Sequence, residues 1–452
     1  MKEQSRALGA ESVGKLLFRL SAPATVGMVV MGLYNIVDTI FVGRALGGES
    51  VQGIGGIAVS FPVIMIAMAV SLAIGLGGSS IISRRLGGDD LEGAERTFGN
   101  MVGLSLSLGF LVFIFGSIFI VPILKAFGAT PTILPFARDY LQIILYGTPL
   151  ITFAQAINNV VRSEGNAKVA MYTMLIGAGL NILLDPILIF GLDMGIRGAA
   201  AATVISQFAT TIFLIHYFLS GKSSLQFHAG FMRPDKGIIR EMVAIGASPF
   251  ARNSSTSAIV VVVNNILALY GGDVSIAIYG IFNRMLMFSF MPMIGLLQGM
   301  QPIIGFNYGA HKFERVTDTL RISVIISSVI AVAGFLMLFF FASYLFSIFT
   351  TDATLIKEGT DATKIMVLAV PLLGIQFVSG GMYQALGKAR PSFILSTARQ
   401  VFLLPLVIVL PWFFGTTGVW MAFPVSDLLA VLLAVYMFMK EYRLLERRLS
   451  GS

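Results

Sequence analysis

The sequence predicts an all-α integral membrane protein with twelve transmembrane helices in two pseudo-symmetric six-helix lobes. Three observations carry that prediction: the composition, the length of the apolar runs and the placement of the basic residues. Of 452 residues, 56% are hydrophobic and 12% charged, against about 25% charged in an ordinary soluble domain. The mean hydropathy of +0.86 excludes a water-soluble enzyme. Apolar windows of roughly 20 to 30 residues recur along the whole chain, the length an α-helix needs to cross a bilayer. They start at roughly residues 17, 54, 97, 135, 168, 196, 240, 275, 317, 363, 392 and 416. Strands of a membrane barrel would be shorter and would alternate apolar with polar residues.

With an even number of spans, both termini and the even-numbered loops share one side of the membrane, and positive charge marks that side as cytoplasmic. About 22 of the Lys and Arg residues fall there, among them Arg84, Arg85, Arg162, Lys168, Lys222, Lys236, Lys312, Arg315, Lys388, Arg390, Arg447 and Arg448, and only about six fall in the odd loops. A multi-pass protein of the cytoplasmic (inner) membrane with both termini in the cytoplasm is expected. The formal charge of +8 thus reports orientation rather than a nucleic-acid partner. The polar N-terminus lacks the short apolar core and cleavage site of a signal peptide, so the first span is expected to be retained.

The two halves resemble each other at an offset of roughly 220 to 226 residues, as transporter halves do. Ser21-Ala22-Pro23 matches Ala247-Ser248-Pro249, Leu46-Gly47-Gly48 matches Tyr270-Gly271-Gly272, and RSEGNAK from Arg162 matches QALGKAR from Gln384. Six spans return the chain to its starting side, so the lobes share one orientation, with a substrate cavity expected between them. The predicted organisation is an N-terminal lobe (1–220), a polar cytoplasmic linker containing Pro234 (221–237), a C-terminal lobe (238–440) and a cytoplasmic tail (441–452).

Several chemistries are absent. With no cysteine, neither a disulfide nor a thiolate site is available. His216, His228 and His311 show no metal-ligand spacing. The glycine stretches at Gly53, Gly75 and Gly198 suit close helix packing rather than nucleotide binding, since none follows a strand. An intramembrane aspartyl protease would need a motif such as GxGD, which neither Asp38 nor Asp185 has. No enzymatic activity and no cofactor are expected, only a coupling ion, and the protein is expected to be a monomer in the lipid bilayer.

Acids inside apolar spans therefore stand out, because an Asp at the bilayer centre costs about 2.5 to 3.5 kcal/mol. In the first span Tyr34, Asn35 and Asp38 share a helical face, and in the fifth Asn181 and Asp185 stand four residues apart on one face. Pro186 leaves the carbonyl of Ile182 without its usual N–H partner. Thr203 in the sixth span supplies one more oxygen. Such a set suits Na+, or a carboxyl that binds and releases a proton. The alternative is that Asp38 and Asp185 only fix helix packing. The equivalent positions in the second lobe, near Val263 and Val407, carry no acid, and Asp427 in the last span is isolated. Three arginines, Arg252, Arg284 and Arg399, fall inside second-lobe spans. They are either paired with helix carbonyls, Asp427 or lipid phosphate, or they line the substrate cavity, where a fixed positive charge favours anionic or zwitterionic substrates.

With these residues in place, the sequence resembles the multidrug and toxic compound extrusion (MATE) transporters, in their prokaryotic branch with an acid in the first helix. LYNIVDTIFVG at Leu33, SRRLGGDDLEGA at Ser83, RSEGNAK at Arg162, GLNILLDPILIFGLDMGIRGAA at Gly179 and YGIFNR at Tyr279 carry the resemblance, which covers nearly the whole chain. It implies a cation-coupled antiporter, driven by H+ or Na+, that exports organic solutes or drugs by alternating access. Asp38, Asn181, Asp185 and Thr203 match the family's first-lobe cation positions. The second-lobe acidic site that some members keep is missing here. The alternative function is a flippase for a lipid or lipid-linked oligosaccharide, as in relatives of the same superfamily.

Overall fold

The computed structural model of the chain describes residues 3–45 and 50–450, with the side chains of residues 35–40, 42–45, 50–52, 54 and 450 outside that description. The described residues form helices joined by turns and short loops, with no strand among them. A short helix α1 (Glu3–Ala10) precedes α2 (Val13–Ala45), α3 (Ser50–Gly87), α4 (Leu91–Ile118), α5 (Ile120–Ala126), α6 (Leu134–Ser163) and α7 (Ala167–Pro186). After a π-helical turn, Ile187–Gly191, come α8 (Gly195–Leu219) and α9 (Lys236–Gly309). The chain ends with α10 (Phe313–Phe340), α11 (Ala342–Phe349), α12 (Ala353–Met366), α13 (Leu373–Ala385) and α14 (Ala389–Ser450). Side chains start several of these helices where the sequence offers a cap: Asp90 accepts from Gly93 N at 2.8 Å, Asn166 from Val169 N at 3.3 Å and Asp352 from Leu355 N at 2.9 Å.

Nine of the described helices are long and apolar enough to cross a membrane. Two of the nine, α9 and α14, are each interrupted by one non-helical glycine, Gly272 (φ 64°, ψ −161°) and Gly415 (φ 56°, ψ −140°), and so count as two spans apiece. A side chain at either position would meet the steric penalty of positive φ, so glycine permits this reversal at both. The bent pair Ala353–Met366 and Val370–Ala385 supplies one further span, giving the twelve that the apolar windows predict. The outward faces are apolar, as lipid demands: Leu269, Trp412 and Phe413 are 81%, 69% and 73% exposed.

The chain forms two compact units, Met1–Leu8 with Val26–Gly246, and Gly9–Thr25 with Ala247–Ser452. The division therefore falls inside the first helix of each half, within a turn of Pro23 and Pro249, rather than in the 221–237 linker. Small residues set these boundaries. In the second unit, a Cβ on Gly299 or Gly295 would come within 2.7 Å of the backbone of Ser21 or Thr25. In the first, a Cβ on Gly77 would lie 2.2 Å from Met242 O, and one on Gly246 2.3 Å from Ala73 O. Only glycine allows helix backbones this close.

Candidate functional site

In the first unit, Asn181 and Asp185 lie on the buried face of α7, 2% and 0% exposed. Pro186 ends the α-helical ladder, and the chain widens into the π turn, closed by Leu192 N donating to Ile187 O at 2.9 Å. A π turn of this kind often marks a functional site. The turn packs against the start of α8 at Gly198, where a Cβ would sit 2.8 Å from the carbonyl carbon and oxygen of Leu188. That approach brings α8 close enough for Asn181 Nδ2 to donate to Thr203 Oγ1 at 3.3 Å, while Thr203 donates to Ala199 O at 3.1 Å. Asn181 and Asp185 thus stand one helical turn apart on α7, Asn181 is bonded to Thr203 of α8, and Tyr140, Ile144, Ile189, Ile196, Ala199 and Ala200 form a buried apolar cluster in the same unit.

Of the residues singled out in the first span, Tyr34 is half-buried on α2. Asn35 and Asp38 are helical within α2, but their side chains lie outside the described residues.

The second unit is built differently. Arg399 grips Asp427 with two hydrogen bonds, Nε to Oδ1 and Nη2 to Oδ2, the second at 3.2 Å. Asp427 is 1% exposed, so its charge is neutralised on the spot by a planar, two-pronged partner. Arg284 is exposed. Arg252 is half-buried, and no ion pair or hydrogen bond engages its guanidinium among the described residues. On the same helix Asn253, Ser254, Thr256 and Ser257 are exposed, and Gln400 Nε2 donates to Thr256 Oγ1 at 3.2 Å.

One feature went unnoticed in the sequence. Glu164, in the turn between α6 and α7, is 1% exposed and holds the start of the linker. Nothing in RSEGNAK distinguishes it from a solvated loop acid.

Two units of the same helical pattern, one of them carrying an oxygen-rich cluster inside its spans, define a polytopic protein of the transporter kind. The MatE family model matches the chain twice over, at residues 23–187 and 250–409, and the chain belongs to that family. The multidrug export protein MepA of Staphylococcus aureus (strain MRSA252) is 30% identical over 423 residues, 94% of this chain and 93% of the relative. Among solved structures, the MATE multidrug transporter DinF-BH in complex with R6G is 42% identical and superposes with a TM-score of 0.89, covering 97% of this chain and 98% of that one. A transporter of the MOP superfamily from Pyrococcus furiosus, described as having a binding pocket of reverse polarity, superposes with a TM-score of 0.91 at 27% identity, covering 99% of both chains.

Proposed function

We propose that this protein is a multidrug efflux antiporter of the cytoplasmic membrane that exchanges organic solutes for H+ or Na+, with both termini in the cytoplasm. Family membership and the export proteins it resembles support efflux. The observation that carries ion coupling is the cluster of Asn181, Asp185 and Thr203, buried inside membrane spans of the first unit. A carboxyl placed there binds a proton or, with the amide and hydroxyl oxygens, a hard cation such as Na+. Asp38 and its neighbours Tyr34 and Asn35 complete the site in this reading. Transport in proteoliposomes, with proton and sodium gradients imposed separately, tests it. R6G, the ligand of the 42% identical structure, is a suitable first substrate. Efflux that responds to neither gradient would contradict antiport.

The substrate class follows from Arg252. Counting about 1.5 Å per residue, Arg252 lies about 24 Å from the start of α9 at Lys236 and about 30 Å from the break at Gly272. It therefore falls towards the middle of the span. Exposed polar side chains at such depth face water rather than lipid. With Arg399 neutralised by Asp427, Arg252 keeps its charge among exposed polar neighbours and favours anionic or zwitterionic substrates. In Arg252→Ala, the transport ratio of a cationic dye to an anionic counterpart should move towards the cation. An unchanged ratio would assign Arg252 to packing.

A further inference from the structure

Glu164 takes no part in the cluster above, yet its carboxyl and backbone carbonyl together join the α6–α7 turn to the linker, α8 and α1. Ser223 Oγ donates to Oε1 at 2.7 Å and Ser224 N to Oε2 at 2.7 Å, both from the linker. The Tyr217 hydroxyl at the end of α8, which accepts from Asn166 Nδ2 at 3.1 Å, lies beside it and favours the charged form. Ser5 of α1 donates to the Glu164 carbonyl oxygen at 3.2 Å and shares a 2.8 Å hydrogen bond with the Ser224 hydroxyl. Further along, the linker is held by Glu95, which accepts from Gln226 N at 2.9 Å, and by Asn100, which accepts from Asp235 N at 2.8 Å and donates to Phe231 O at 3.1 Å. The linker is thus strapped to the first unit rather than hanging as a free tether.

The charged groups on the surrounding elements turn elsewhere. Arg162 on α6 directs Nη2 to Met174 Sδ at 3.2 Å, and Lys168 on α7, His216 on α8 and Lys222 on the linker are exposed. On α1, Glu3 is exposed and Arg6 lines a separate hollow with Leu86, Asp89 and Leu91. His228 on the linker faces Glu95, at 3.7 Å. Tyr217 is the titratable side chain that meets Glu164.

We propose that Glu164 is a proton-binding site separate from the transport path, and that holding a proton there fastens the linker, residues 221–237, and helix α1 to the first unit. A carboxylate enclosed without a cation is costly to charge. Burial outweighs the two donors and the nearby Tyr217 hydroxyl and pushes the pKa up to about 7. In the neutral acid, Ser224 N–H still donates to Oε2, while the new Oε1–H donates to Ser223 Oγ.

An open linker returns the carboxyl to water and to its ordinary value of 4.5, so the closed strap binds the proton more tightly. Acidification favours closure. As pH rises between these two values the opening constant grows about tenfold per unit, ~300-fold in all, and then stays level. On the sidedness argued from the basic loops, the proton comes from the cytoplasm.

Hydrogen exchange of the full-length protein in lipid nanodiscs, corrected for the intrinsic pH dependence of exchange, reads this directly at the amides of Ser224 and Leu225. Their protection should fall from about pH 5 to about pH 7 and level off above. Glu164→Gln should hold protection constant over the same range. Tyr217→Phe, a milder change that removes the hydroxyl favouring the charged form, should move the midpoint upward and serves if the Gln variant does not fold. Flat protection in the parent, or an unchanged slope in Glu164→Gln, would overturn the proposal. Exchange requires no transport, so the result is independent of the antiport reading.

Discussion

The two units start from the same six-span pattern and put opposite chemistry in their cores. At the offset of about 222 that aligns RSEGNAK with QALGKAR, Asn181 and Asp185 fall opposite Leu403 and Val407, which are 3% and 0% exposed in a large apolar cluster with Phe282, Trp420 and Phe423. The acid of the second unit sits on its last helix instead, clamped by Arg399. A carboxylate bonded twice to a guanidinium that stays charged has little freedom to take up a proton or a cation. The difference teaches that the two copies of a duplicated fold bury their carboxyls differently: one places Asp185 a helical turn from an amide, the other locks Asp427 in an ion pair that joins two helices.

The largest expected effect comes from breaking that ion pair. Asp427→Ala leaves a buried guanidinium uncompensated and should cost about 3 to 5 kcal/mol of stability. Replacing both partners, as in Arg399→Met with Asp427→Leu, should recover most of the loss, because desolvation is no longer needed. Thermal unfolding in detergent checks both. A double variant as unstable as the single one would mean that the pair does more than neutralise charge.

Next is Gly198→Ala. Its Cβ would lie 2.8 Å from the backbone of Leu188, so the π turn must shift and the distance from Asn181 to Thr203 must grow. Cation-dependent transport should drop by about tenfold or more, since misplacement of a binding group by about 1 Å can cost as much as 100-fold. Parent-like transport would show that the site tolerates the shift.

A smaller effect is expected at the hydrogen bond itself. Asn181→Ala and Thr203→Val should each cost about 1 kcal/mol, with a coupling of about 0.5 kcal/mol or more in a double-mutant cycle read by cation binding. Zero coupling would separate the two residues. Smallest in energy is the topology test: cysteine introduced at exposed Lys222 should label from the cytoplasm and at exposed Thr417 from outside. Ser224 is unsuitable because it is buried in the strap.

Much of this was readable before the structure. Apolar runs long enough to span a bilayer, together with basic loops on one side, follow directly from the solvent, and separate windows from about 240 and about 275 anticipated that α9 is two spans. Asn181, Asp185 and Thr203 were recognisable because polar groups inside an apolar run are expensive, and the structure brings Asn181 and Thr203 into contact. Two features were not recognisable, for a shared reason. The passage of residues 9–25 into the second unit depends on Gly295 and Gly299, far away in sequence, admitting the backbone of Thr25 and Ser21. The burial of Glu164 depends on where residues 217 to 224 come to rest. Both are tertiary effects with no local pattern.

The central claim is that the first unit carries coupling and the second does not. Substrate uptake into proteoliposomes under an imposed proton or sodium gradient tests it most directly, comparing the parent with Asp38→Asn, Asp185→Asn and the charge-neutral pair Arg399→Gln with Asp427→Asn. The first two variants are predicted to fold and bind substrate but lose gradient-driven uptake, and the third to keep it within about threefold of the parent. Uptake that survives in Asp38→Asn and Asp185→Asn but fails in the Arg399 and Asp427 double variant would contradict the account.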